Sequence, residues 1–112
     1  MDPERQRAVA QGLRDGDPDA WAALYDAYYE SVCRCAARLL GGGAQDVADV
    51  VQETFLAAAR SARQFDPARG SLWNWLYGIA RKQTALHYRR CGRDQAALRN
   101  GRLMTSRAAV AG

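Results

Sequence analysis

Residues 48–65, ADVVQETFLAAARSARQF, followed after a short break by residues 71–90, SLWNWLYGIARKQTALHYRR, decide the fold. In both stretches apolar residues recur at steps of three and four, the spacing of one helix face. Working outward, Ala, Leu, Arg and Gln dominate the chain, Ile occurs once, and no alternating β-branched run appears. These are strong helix formers. The expectation is an all-α fold: a compact bundle of about four helices with a loosely structured C-terminal tail.

The predicted first helix runs from about Pro3 to Arg14, with Asp2 as cap, Pro3 in its first turn and Asp15-Gly16 as its end. Asp17 caps the second, whose apolar stripe is Trp21, Leu24, Tyr25, Tyr28, Val32, Cys35, Ala36 and Leu39; Gly41-Gly42-Gly43 stops it. The third spans about Ala44 to Arg63 and turns Val47, Val51, Thr54, Phe55, Ala58 and Ala62 inward. Phe65 to Gly70 reads as a loop, because Pro67 lacks a donor and Gly70 breaks helices. Ser71 caps the fourth helix, predicted to reach about Arg90. Its inward stripe is Leu72, Trp75 or Leu76, Ile79, Gln83 and Leu86; its outward face carries Trp73, Asn74, Tyr77, Arg81, Lys82, Thr84, Tyr88 and Arg89. The domain is taken as residues 1–91, and 92–112 as linker or tail, although 93–100 can add two helical turns.

Charge divides the chain. Residues 1–63 hold seven Arg against ten Asp or Glu, a net of −3. Residues 64–112 hold nine Arg or Lys against two Asp, a net of +7. An acidic amphipathic helix beside a basic, aromatic one fits a nucleic-acid binder with a second, protein partner.

At 112 residues the chain makes one domain, or one domain plus a tail, with a modest core. Its apolar runs are too short to cross a bilayer, and MDPERQR lacks the apolar segment of a signal peptide, so a cytoplasmic protein without a membrane partner is expected. Cys33 and Cys35 point about 200° apart on a helix, His87 is the single histidine, and there is no CxxC, so no metal or other cofactor is expected. The cysteines read as reduced fillers, with a redox role open to Cys91 beside Arg89, Arg90 and Arg93.

Three blocks in order, LYDAYYESVCRCAARLL (24–40), DVADVVQETFLAAAR (46–60) and FDPARGSLWNWLYGIARKQTALHYRR (65–90), resemble the second conserved domain of bacterial sigma-70 family RNA polymerase sigma factors, of the extracytoplasmic-function (ECF) type. The resemblance covers about Leu13 to Arg90. It implies an all-α bundle whose acidic helix docks on the clamp coiled coil of the largest subunit of core RNA polymerase. Asp49, Gln52 and Glu53 match the family's polymerase-binding positions. It also implies that the final helix and the loop before it recognise the promoter minus-ten element, holding non-template-strand bases as the duplex opens. Phe65 and Arg69 fall in the loop that shapes the base pocket; Ser71, Asn74, Trp75, Tyr77, Arg81, Lys82 and Tyr88 line or flank the DNA-facing helix; Arg89 and Arg90 match phosphate contacts. An anti-sigma factor is a further implied partner.

The physics runs the same way. Paired carboxylates and an amide suit a basic coiled coil, and an unstacked base gains about 1–3 kcal/mol from an aromatic platform in a basic groove. Each residue also has a plainer reading. Asp49 and Glu53 can be a solvated face, Phe65 can cover the bundle end, Trp75 can be half core, and Trp73 can stack on a base or meet another protein. Lys82 stands where many relatives carry Asn, which leaves base preference open.

The family's second helical domain, which reads the minus-thirty-five element, has no counterpart after Arg90. The chain is expected to be a segment of a longer protein or a shortened one, and alone to start transcription poorly. The alternative function is a sigma-like regulatory module that binds polymerase or an anti-sigma factor without reading DNA. No enzyme is expected: no Ser-His-Asp or Cys-His set can be assembled, and Gly41-Gly42-Gly43 lacks the Lys and Ser/Thr of a phosphate-binding loop. A duplex reader is disfavoured by the aromatic content of the basic helix.

Overall fold

The computed structural model describes residues 1–41 and 43–108, with side-chain surroundings as far as residue 92. Four α-helices follow in order: α1 (Pro3–Asp15), α2 (Pro18–Leu40), α3 (Ala44–Ser61) and α4 (Leu72–Ala108), with a 3-10 turn, Ala62–Gln64, after α3.

The local chemistry that starts and stops these helices is as expected. Asp2 Oδ1 accepts from the Arg5 amide at 2.7 Å, and Asp17 Oδ1 from the Asp19 amide at 2.9 Å, each satisfying a donor left free by the first turn. Gly16 and Gly41 end α1 and α2 in the left-handed region, at φ 76° and 75°, where a Cβ is costly. Ser71 Oγ accepts from the Asn74 amide at 3.1 Å and fixes the start of α4.

α2 and α3 form a hairpin, and α4 lies against both. Trp73 stacks on Tyr28 with ring centroids 5.9 Å apart, and farther along the Tyr88 hydroxyl donates to the Leu39 and Leu40 carbonyls at 3.2 and 3.0 Å, so α4 runs parallel to α2. α3 runs against it, bringing Asp46 near its start to His87 near the end of the bundle. α1 packs across α2 and the 3-10 turn.

Leu24, Val32, Val50, Leu72 and Leu76 are fully buried at the centre. Burial of such side chains contributes about 1.5–3 kcal/mol each. Leu72, Leu76, Ala80 and Thr84 form a spine along α4 at steps of four. The buried hydroxyls are satisfied within their own helices, Thr54 donating to Val50 O at 2.7 Å and Thr84 to Ala80 O at 2.8 Å.

Several expectations need correction. Thr84 lies on the core face, not the outward one, because α4 is covered by helices on two sides. Tyr25 is 40% exposed at the edge of its stripe, and Val50, rather than Val47, is the fully buried valine at the start of α3. Leu76 takes the core position and Trp75 stays half-buried. The third helix tightens into the 3-10 turn after Ser61 instead of continuing to Arg63. The fourth continues past Arg90 and Gly92 as helical backbone to Ala108; the rest of the expected tail, 109–112, and Gly42 of the glycine run lie outside the described residues.

Candidate functional site

The loop between the 3-10 turn and α4 is built by short-range bonds. The Phe65 amide donates to Ala62 O at 3.2 Å, and Asp66 Oδ1 accepts from the Ala68 amide at 2.9 Å. The Arg69 amide returns to Asp66 O at 3.0 Å, and the two side chains pair at 3.8 Å. That pair is largely solvated and adds little stability. Phe65 is turned inward, 5% exposed, with its ring 5.0 Å from that of Trp75. Of its two open readings, covering the bundle end is where its side chain sits, and it also lines the pocket on the loop's open side.

That open side is a pocket of about 510 Å³, within the usual range of small-ligand sites. Phe65 and Trp75 supply its aromatic wall, and Ser71, Asn74 and Arg69 its polar side. Five residues that sequence reading selected, Phe65, Arg69, Ser71, Asn74 and Trp75, thus converge from loop and helix on one cavity. Arg14 and Arg63 line it too, and sequence reading missed both: one is about fifty residues away in the chain, and both lie in the half with net negative charge.

Beyond the pocket the basic face of α4 continues. Trp73 is half-buried, stacked on Tyr28 with centroids 5.9 Å apart and tilted against Tyr77 at 6.1 Å, so its ring is already partly occupied within the bundle. Burial raises the pKa of the Tyr28 phenol beneath it. Tyr77 is exposed, and the Arg81 guanidinium sits 5.9 Å from its ring centroid, a cation–π distance. Lys82 and Arg89 are exposed. Tyr88 is 53% exposed, yet its hydroxyl is engaged by α2, which leaves the ring rather than the hydroxyl available.

The acidic surface lies on the other flank of α4. Asp49 and Gln52 are exposed and Glu53 is half-buried. With Gln83, His87 and Arg90 they border a groove of about 370 Å³. Arg90 therefore borders the acidic helix, in a groove that Arg81, Lys82 and Arg89 do not line. His87 Nε2 is 3.2 Å from Asp46 Oδ1 and 3.5 Å from Cys91 Sγ, which ties α3 to α4 there. The acidic and basic faces border the same helix without covering one another.

A further surface was missed in the sequence. Trp21, Tyr25, Tyr29, Phe55 and Leu56 line a groove of about 440 Å³ that is continuous with Gln52. Tyr25 and Tyr29 stack at 4.9 Å and are each 40% exposed, and Leu56 is 43% exposed. Their i, i+4 spacing was the available signal; assigning Tyr25 to the core hid it.

Comparison with known proteins agrees with this architecture. Residues 24–94 match the family Sigma-70 region 2. The chain is 33% identical over 88 residues to the ECF RNA polymerase sigma factor BldN of Streptomyces coelicolor, covering 79% of this chain and 33% of that protein. It is 33% identical over 82 residues to the ECF RNA polymerase sigma-E factor of Haemophilus influenzae, covering 73% and 41%. Over 72 residues it is 33% identical to the ECF RNA polymerase sigma factor SigW of Bacillus subtilis, covering 64% and 37%. It thus spans less than half the length of each of these relatives. Among solved structures it is similar to an engineered region 2 of sigmaE, determined by NMR in complex with GTAAAA, with TM-score 0.72, 30% identity, and coverage of 84% of this chain and 97% of that one. A four-helix chain that follows such a domain along nearly its whole length, and that carries the family pattern over residues 24–94, belongs to the Sigma-70 region 2 family, among the ECF sigma factors.

Proposed function

We propose that this chain is the part of an ECF sigma factor that docks on core RNA polymerase through α3 and captures the melted minus-ten strand of promoter DNA with the loop pocket and α4. The observation that carries the reading is the pocket at the loop–helix junction. An aromatic wall, an Asn, a Ser and arginines meet there in about 510 Å³, in a fold similar to a region 2 that is in complex with GTAAAA. An unstacked base needs a ring to stack on, polar groups for its edge, and cations for its phosphate, and the site offers all three. Arg81, Lys82 and Arg89 extend the positive surface along α4 for the backbone on either side.

The polymerase side rests on Asp49, Gln52 and Glu53, with the aromatic groove beside Gln52 supplying the apolar area that a charged rim alone lacks. The clamp coiled coil is the proposed partner, the cytoplasm the proposed compartment, and an anti-sigma factor a proposed regulator on the same surfaces. Among the described residues no helix is long and apolar enough to cross a membrane. Members of this family act by binding, and the reading requires no cofactor.

Fluorescence anisotropy tests the DNA half. Labelled single-stranded GTAAAA is expected to bind more tightly than its complement, and the preferred complex to weaken as salt rises. Equal binding to both strands would reduce the surface to generic basic adhesion and favour the regulator that reads no DNA.

A further inference from the structure

Arg14 and Arg63 are exposed cations that line the loop pocket from elements other than α4. Arg14 lies in the last turn of α1 and Arg63 in the 3-10 turn. Among the described residues neither has a carboxylate within ion-pair distance. The acids near them are engaged elsewhere: Asp15 Oδ1 accepts from Gln11 Nε2 at 3.1 Å, Asp17 Oδ1 caps α2, and Asp66 is held by the Ala68 amide and Arg69. Two arginines from separate elements therefore line one aromatic-walled cavity without an ion pair of their own, beside an Asp66 carboxylate already paired with Arg69.

Of the other cations of the DNA-facing surface, Arg69 lines the same pocket but pairs with Asp66 at 3.8 Å, and those of α4 lie farther off. Arg81 and Lys82 stand two turns farther along α4, about 10 Å beyond Asn74 by helical rise. A strand held only by α4 would leave the pocket on the side of α1 without a charge to meet its next phosphate. Guanidinium groups suit that task because their fork matches phosphate oxygens.

We propose that Arg14 and Arg63 form a phosphate clamp that carries the single-stranded nucleic-acid path past the loop pocket onto the end of α1. The proposal rests on the reading of the pocket as a base site and adds a second wall to it. The clamp contributes affinity and register without sequence preference, since phosphates are the same under every base. It also gives α1 a part in DNA capture.

The test uses the full chain, a labelled single strand carrying GTAAAA with flanking nucleotides on both sides, and anisotropy titrations across a salt series. Arg14→Gln and Arg63→Gln are compared with Arg60→Gln, which removes the same charge from an exposed site on α3 away from the pocket. Circular dichroism checks that each variant keeps its helices. Each clamp variant is expected to weaken binding severalfold at low salt and to lower the slope of log K against log salt by about 0.7, one single-strand phosphate contact. The loss should be the same when the flanking bases are changed, and Arg60→Gln should leave the slope unaltered. If the wild-type chain prefers the strand to its complement and both clamp variants keep its slope, the clamp is refuted while the base site stands. If the wild-type chain shows no strand preference, the base site falls and the clamp with it.

Discussion

Phe65 is 5% exposed and lies against Trp75, so its first contribution is to the bundle. Phe65→Ala is expected to cost about 3–5 kcal/mol in urea unfolding, a large share of the stability of a chain this small. Phe65→Leu should recover most of that loss and yet widen the pocket. A Phe65→Ala variant as stable as the parent would show that the ring is a surface group. Cys35 gives a chemical check on the core. Burial raises the pKa of its thiol, outweighing the lowering by Arg38 and Arg81. A raised thiol pKa means less thiolate at any pH below it, hence slower alkylation. At mildly alkaline pH the half-buried Cys33 is expected to be modified before Cys35, by mass spectrometry of timed iodoacetamide reactions. Reversal of that order would place Cys35 at the surface. At this scale the sequence was a fair guide to residue type and a poor one to direction. Periodicity put Thr84 outside, because α4 meets α2 and α3 on two flanks and a single-stripe reading assumes one; it put Tyr25 inside, although that ring stands at the edge of the α2 stripe, 40% exposed.

Among the elements, α1 and α2 approach one another through a glycine. A Cβ built on Gly12 would lie 2.5 Å from the Ala20 Cβ, so α1 and α2 approach only because position 12 has no side chain. Gly12→Ala is expected to destabilise by about 1–3 kcal/mol, the range for overpacking. Gly78 lies mid-helix in α4, exposed, with nothing within 4 Å of its Cβ position. Gly78→Ala should therefore stabilise by about 0.5–1 kcal/mol. Thermal melts of the two variants should move in opposite directions; a Gly12→Ala chain that melts no lower than the parent would contradict the packing of α1 on α2. The starts and ends of α1 and α2 were legible because Asp-Pro pairs and glycines act within a turn. The span of α4 was not. Gly92 suggested an end near Arg90, but one helical glycine costs only about 1 kcal/mol, and the helical backbone runs on to Ala108.

At the scale of the whole molecule, the acidic face of α3 and the aromatic, basic face of α4 lie on different flanks of one bundle. The sequence reveals that division as a change of sign along the chain, and the DVVQETF and FDPARGS motifs identify its two sides. It could not reveal that Arg14 and Arg63, from the acidic half, border the basic pocket, since chain charge averages over residues that folding separates. Nor could it reveal the groove of Tyr25, Tyr29 and Leu56 beside Gln52, which exists only once α2 and α3 pair. The two faces should fail independently. The most direct measurement is one anisotropy experiment on a labelled minus-ten strand, titrated first with the chain and then with core polymerase, for wild type, Glu53→Lys and Arg81→Glu. Wild type should bind the strand and give a second rise as polymerase joins. Glu53→Lys should keep the first step and lose the second at least about tenfold, as reversal of a charge in a partly desolvated contact does. Arg81→Glu should weaken the first step while still binding polymerase in a pull-down. If Glu53→Lys abolishes strand binding, or Arg81→Glu abolishes polymerase binding, in a chain that remains helical, the division of labour between α3 and α4 is wrong.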